Sequence, residues 1–268
     1  MVAVSDRREF PVLKYQQGRT SEVSDVVVAE YNLAIQVNGK DFVILLCTPR
    51  SLDDLVAGFL FSEGVIQSRN DLQELTIDMV QQQARVTLGK TAASRLSDDQ
   101  PFARKTVPTA GGKGHSTLNT NSIESLSGNC DSNFSIQATK VLELMDRFNG
   151  RSQLFLDTGG VHSCALSDGN DMLLFEDDIG RHNALDKVLG QAMMQDIPLH
   201  DKIVLTSGRI STEILAKVAR RGIPAIISRS APTSAAIEQA LALGMTLIGF
   251  ARGSKFNVYT NFSCLARD

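Results

Sequence analysis

Tryptophan is absent and tyrosine occurs only three times in 268 residues, too few aromatics to build a broad stacking platform for single-stranded nucleic acid. No apolar run approaches the roughly 20 residues that a membrane helix needs. The first ten residues, MVAVSDRREF, carry charge where a signal peptide has its apolar core. A cytoplasmic protein with no membrane partner is expected. The net charge of −3 gives no whole-chain bias towards nucleic acid, and no nucleic-acid partner is expected. Cysteine is scarce: Cys47, Cys130, Cys164 and Cys264, with no C-x-x-C pair. That predicts free thiols in a reducing compartment rather than a disulfide framework. The H-x-E and P-C-x-x-C elements of zinc deaminases are missing, and His115, His162, His182 and His200 show no metal-helix spacing, so no zinc is expected. Neither a P-loop nor a G-x-S-x-G nucleophile turn is present.

What remains is an ordinary globular chain, 43% hydrophobic and 21% charged, long enough for a sizeable core. Residues 1–25 are polar and show no clear period. Residues 26–95 read as a small α+β domain. Strands at 34–37 and 42–46 flank Asn38-Gly39, the strongest short hairpin signal. A helix follows, with Ser51 as N-cap, Asp54 completing a capping box, and Leu55, Phe59 and Leu60 on its apolar face. Further strands are expected at 75–77 and 84–88. Residues 96–133, rich in Ser, Thr, Asn and Gly, read as a connector loop.

Residues 134–268 read as an α/β domain. A helix capped by Ser135 places Val141, Leu144, Met145 and Phe148 on one face and ends at Gly150. A strand is expected at 153–156, hairpin partners at Ala165 and 172–175, and a helix at 183–194 with Asn183 as N-cap. From Lys202 onward strands and helices alternate: strands 202–206, 224–228 and 245–250, helices 211–221 and 233–243. This βαβαβ run requires parallel strands with right-handed crossovers. Their carboxyl-end loops therefore gather on one edge, where ligands of open α/β sheets bind. Those loops are Ser207-Gly208-Arg209, Arg229-Ser230-Ala231-Pro232 and Ala251-Arg252-Gly253-Ser254-Lys255. Two open helices, each loop carries a base, and small residues admit the ligand; an anion such as a phosphate or nucleotide is expected there.

Gly159-Gly160-Val161-His162-Ser163-Cys164 offers a histidine that orients an anion or relays a proton, or that is merely structural. Cys164 is either a nucleophile activated by a neighbouring base or a small buried thiol. Cys47 reads as core and Cys130 as exposed in the connector. In residues 176–183, mixed acids with Arg181 and His182 precede a helix and either bind a polar ligand or solvate the helix start.

Five segments together resemble one family, the formate dehydrogenase accessory sulfurtransferases of FdhD type: TPRSLDDLVAGFLFSEGVI (48–66), DTGGVHSCAL (157–166), EDDIGRHNALDKVLG (176–190), TSGRISTEILAKVARRGIPAIISRSAPTSAAIEQA (206–240) and GFARGSKFNVYTN (249–261). The resemblance implies a cytidine-deaminase-like α/β domain without zinc, beside the smaller α+β domain. It implies a carrier that takes sulfur from a cysteine desulfurase as a persulfide. The sulfur passes to molybdenum bis(molybdopterin guanine dinucleotide), destined for formate dehydrogenase. Residues Phe250, Ala251, Arg252, Gly253, Ser254 and Lys255 match the family's cofactor-binding stretch. Ser207, Gly208, Arg209, Arg229, Ser230, His162 and Arg181 are the further binding candidates. One departure stands out. The family's Cys-Gly-x-Cys-Gly element falls on 109–115 here, with Gly111 and Gly114 in the cysteine places. Glycine cannot hold sulfur, which leaves Cys164 and Cys130 as the candidate sulfur-bearing residues. Three readings stay open: a sulfur carrier with a relocated cysteine, a non-sulfurating chaperone for the molybdenum cofactor or a guanine nucleotide, and an unrelated nucleotide-binding enzyme. A homodimer is expected.

Overall fold

The computed structural model describes residues 4–96, 106–107 and 134–266. Strands β1 (Arg7–Gln16) and β2 (Arg19–Val28) form an antiparallel ribbon in the segment whose sequence shows no clear period. Gln17 and Gly18 both take positive φ, 52° and 79°, the primed turn that suits strand twist. Strands β3 (Tyr31–Val37) and β4 (Lys40–Cys47) form the expected hairpin, with Asn38 and Gly39 at φ 49° and 76°. Helix α1 (Leu52–Ser62), strands β5 (Leu72–Asp78) and β6 (Gln83–Leu88), the short helix α2 (Lys90–Ala93) and strand β7 (Thr106–Val107) complete this half. The strands make a five-stranded sheet in the order β5-β6-β3-β4-β7.

Strand β8 (Ile136–Gln137) leads into helix α3 (Ala138–Asn149). Its N-cap is Gln137 rather than Ser135, because Ile136 and Gln137 are extended and pair with β15 (Leu265–Ala266). Residues 153–156 are not a strand. Helix α4 (Gln153–Thr158) occupies them, capped by Ser152, whose hydroxyl accepts from the Phe155 N–H, and closed by Gly159 at φ 64°. Strands β9 (His162–Ser167) and β10 (Met172–Asp178) pair antiparallel, and helix α5 (Arg181–Met194) follows. The alternation then runs as the sequence predicts: β11 (Ile203–Thr206), α6 (Thr212–Arg220), β12 (Ala225–Ser228), α7 (Ser234–Leu243) and β13 (Thr246–Arg252). The last strand turns back into β14 (Lys255–Val258). The sheet order is β10-β9-β11-β12-β13-β14, with β11, β12 and β13 parallel.

Every residue of β11 and β12 is buried, as a parallel strand covered on both faces requires. One face holds α3, through Val141, Leu144, Met145 and Phe148 against Ala165, Leu205, Ile227 and Ile248. The other face belongs to a larger cluster that takes in α5, α6, α7, α1 and the five-stranded sheet. The N-terminal and C-terminal halves thus share one core. Helix α1 lies between them and is buried nearly all round, from Leu52 to Ser62 except at Asp53 and Asp54.

Helices α1 and α5 cross backbone to backbone. A Cβ on Gly58 would lie 1.7 Å from the Asp186 carbonyl oxygen, and one on Gly190 would lie 2.0 Å from that of Asp54. The expected capping box of α1 is not formed. Ser51 caps by position, at φ 51°, without a side-chain bond to the helix. Its hydroxyl instead donates to Glu176 Oε1 at 2.9 Å, and Asp54 accepts from Gln191 at 3.0 Å. Both polar groups serve the contact between the halves.

Candidate functional site

Strand β9 runs antiparallel to β11, so the start of β9 lies at the carboxyl end of β11. The carboxyl end of β10, paired Asp178 to His162, arrives at the same edge. This places His162, the start of α5 and the loops after β11 and β12 side by side. The two loops are knitted together. Ile210 N–H donates to the Ala231 carbonyl at 3.1 Å, and Arg229 N–H donates to the Thr206 carbonyl at 3.1 Å. The Ser228 hydroxyl donates to the Gly208 carbonyl at 2.7 Å, and Ser230 N–H donates to Ser228 Oγ at 2.9 Å. Ser211 and Thr233 cap α6 and α7, leaving both helix starts at the edge.

Asp178 fixes the start of α5. One carboxylate oxygen accepts from Gly180 N–H and Asn183 Nδ2, each at 2.9 Å. The other accepts from Thr48 N–H at 3.0 Å and the Thr48 hydroxyl at 2.9 Å, and pairs with the fully buried Lys187 at 2.8 Å. Asn183 therefore lies inside the helix rather than at its cap, and its amide also donates to the Leu46 carbonyl at 2.7 Å. The cap position belongs to Gly180. Asp177 joins two walls of the edge, accepting from Ser152 at 2.7 Å and from Ser163 at 2.6 Å.

The cations converge on this frame. Arg181 lies across Gly208, where a Cβ would meet its Cδ at 2.9 Å. Glycine at 208 is thus a condition for that arginine's position. Burial and then the neighbouring Arg209 push the Arg181 pKa down, while Glu213 opposes them. Its Nε is buried without a hydrogen-bond partner among the described residues. Arg229 stacks over Phe155 of α4, 5.5 Å from the ring centroid. His182 Nε2 sits 3.2 Å from Glu213 Oε2, and the nearby imidazole, against some burial, holds the carboxyl below its ordinary range. The Ser207 hydroxyl oxygen accepts from Ser163 N–H at 2.9 Å and lies 3.3 Å from His162 Nδ1. Burial first, then Arg181, Arg229 and His182, hold the His162 pKa low. A half-buried group of cations that repel one another, with an arginine nitrogen unpaired among the described residues, is the kind of arrangement that an anion would neutralise.

His162, Arg181, Ser207, Gly208, Arg209, Arg229 and Ser230 thus meet at one edge. The 250–255 stretch joins it only at its start. Phe250 N–H donates to the Ser230 carbonyl at 3.0 Å, and Phe250 itself is bulged at φ 54°. Ala251 is buried among Ile248, Ala225 and Ile227, so its side chain faces core rather than ligand. Arg252, Gly253, Ser254 and Lys255 form the exposed end of the β13–β14 hairpin. Phe155 and Glu213 belong to the edge but do not stand out in the sequence. The signal for Glu213 is its place in the first turn of α6.

The cysteines fare differently. Cys47, Cys164 and Cys264 are all buried. Cys164 sits two residues inside the edge, 1% exposed, and burial pushes its thiol pKa far up. The nucleophile reading of Cys164 has no accessible thiolate behind it, and the small buried thiol is what the fold contains. Cys130, Gly111 and Gly114 lie outside the described residues.

The fold and this edge define a class: an α/β protein whose parallel strands gather arginines at their carboxyl ends, the edge where ligands of open α/β sheets bind. The chain belongs to the FdhD/NarQ family, whose model matches residues 28–265. A Bacillus pumilus protein named Sulfur carrier protein FdhD is 39% identical over 257 residues, spanning 96% of this chain and 97% of that one. The Staphylococcus aureus protein of the same name is 36% identical over 251 residues, 94% of this chain and 93% of its own. A crystal structure of a formate dehydrogenase accessory protein from Desulfotalea psychrophila shares the fold, with TM-score 0.79, 24% identity, and coverage of 98% and 100% of the two chains.

Proposed function

We propose that this protein is a sulfur carrier that assists formate dehydrogenase maturation, and that its basic edge holds the phosphates of the molybdenum bis-guanine-dinucleotide substrate. The observation that carries the reading is membership of the FdhD/NarQ family across residues 28–265, among relatives named as sulfur carriers. The edge agrees with it: Arg181, Arg209 and Arg229 around two helix starts suit a pyrophosphate. The donor is a cysteine desulfurase, encountered in the cytoplasm. With Cys47, Cys164 and Cys264 buried, Cys130 takes the sulfur. Its thiolate attacks the terminal sulfur of the donor's persulfide, a new S–S bond forms, the donor's S–S bond breaks, and the donor cysteine leaves as thiolate. A second copy of the chain covers the β1–β2 ribbon, whose Phe10, Leu13 and Tyr15 are exposed.

Intact-protein mass spectrometry after incubation with desulfurase and cysteine tests the sulfur step. One reducible adduct of about 32 Da, lost in Cys130→Ala, is expected. No adduct, with an active relative as positive control, rejects it. The second reading, a chaperone that binds the cofactor without carrying sulfur, is favoured by Gly111 and Gly114 and by the three buried thiols. It predicts binding of a guanine dinucleotide and no adduct.

A further inference from the structure

We propose that His162, held by Ser207, is the proton-accepting end of the anion site: a polyanion settling among Arg181, Arg209 and Arg229 brings a proton onto the His162 ring, and binding therefore tightens as pH falls. This rests on the reading of the edge as a phosphate site and adds to it a named residue and a linked proton.

The geometry gives His162 this place. Ser207 bridges Ser163 N–H, at 2.9 Å, and His162 Nδ1, at 3.3 Å, so one ring nitrogen is tied to the protein. The other, Nε2, is the nitrogen left for a ligand. The charged groups that face His162 are Arg181 and His182 from α5, Arg229 from the loop after β12, and Asp178 from the end of β10. Asp178 is already committed to Gly180, Asn183, Thr48 and Lys187, so its negative charge is shared. Without ligand, burial and then the surrounding cations lower the His162 pKa from its ordinary value. An anion between the arginines cancels their repulsion and gives Nε2 an acceptor. Both changes favour the imidazolium. His182 differs, because Glu213 already stands 3.2 Å from it, so an arriving anion alters its surroundings less.

The sign follows from linkage. The bound state holds more protons than the free state, so affinity rises as pH falls, by at most about tenfold per pH unit for one site. The window runs from the raised pKa of the occupied site down to the depressed pKa of the free one, which lies below the ordinary value of about 6.5.

The test is calorimetric titration of the full chain with diguanosine pyrophosphate, whose two phosphate charges stay constant from about pH 5.5 to 8. Buffers of different ionisation enthalpy count the protons taken up. Affinity is expected to rise several-fold as pH falls, with up to one proton gained. His162→Gln keeps an N–H donor but cannot titrate; whatever its affinity at the upper pH, it is expected to show no slope. His182→Gln is expected to keep the slope. NMR titration of the His162 ring signals, free and bound, reads the same shift without any variant. A flat profile in the parent protein, or a slope that survives in His162→Gln, overturns the proposal. Failure to bind at any pH overturns the phosphate-site reading itself, and this inference with it.

Discussion

The α1–α5–α6 junction and the basic edge both withdraw charge from water, and they do so in opposite ways. At the junction the central lysine is matched by carboxylates. Lys217 donates to the two oxygens of Asp186 at 2.9 and 2.6 Å and pairs with Glu63 at 3.2 Å, while Ser62 donates to Asp186 at 2.6 Å. Burial alone would lower the Lys217 pKa, and the two carboxylates more than reverse it. At the edge like charges are left together, and burial with a neighbouring cation lowers the Arg181 pKa. The junction holds the halves in one register. The edge, on the proposed reading, keeps interaction for a ligand to complete.

The contrast breaks first at the junction. Gly58→Ala puts a methyl into the Asp186 backbone, which has no flexible end to yield, and a loss of about 3 kcal/mol or more is expected in urea unfolding. Gly208→Ala makes the matching test at the edge. The atoms in the way are the Arg181 Cδ, which can swing aside, and its Cβ, so stability should fall by less than in Gly58→Ala while nucleotide affinity drops. Asp186→Ala leaves Lys217 with Glu63 alone and is expected to cost about 3–5 kcal/mol. Arg181→Ala should leave the unfolding midpoint within about 0.5 kcal/mol of the parent and weaken diguanosine pyrophosphate roughly tenfold or more. An Arg181 variant that unfolds as readily as Asp186→Ala would erase the distinction.

Acid sharpens the comparison at smaller scale. His162 has a depressed pKa in the fold, so its contribution is complete above the unfolded value of about 6.5 and is lost as pH falls through the folded value. His162→Gln should flatten that part of the stability–pH curve in ligand-free protein. The smallest effect is expected on the ribbon: Leu13, 69% exposed, should change to Ser within about 0.5 kcal/mol.

Much of this was legible in the sequence because the period of a buried parallel strand and its crossover helix is local. The run from Ile203 to Arg252 folds as its alternation requires, and the rule that ligands meet carboxyl ends brought Ser207, Arg209 and Arg229 together. What escaped was decided by distant partners. Gln153–Thr158 has the apolar content of a strand, yet Ser152 and Gly159 cap it as a helix; those two flanking residues were the missed signal. Ser51 and Asn183 have good cap chemistry, but Glu176 and the Leu46 carbonyl recruit their side chains. Arg7–Val28 lacks an apolar face turned to a core, and only the Gln17-Gly18 turn marks its hairpin. Cys164 reads ambiguously in sequence because burial is a property of the sheet above it.

The shared core has a consequence for dividing the chain. Every residue of the basic edge lies beyond position 134, so a fragment beginning there keeps the whole chemical inventory. It would nonetheless arrive without Thr48, leaving Asp178 and Lys187 short of bonds they make in the intact chain, and with the α5 surface that meets Gly58 bared to water. The start of α5 would lose its anchor, and with it the aim of Arg181. The smallest heritable unit of this basic edge is therefore larger than the segment that encodes its residues: cutting the gene in two would discard the arrangement while retaining all of its side chains.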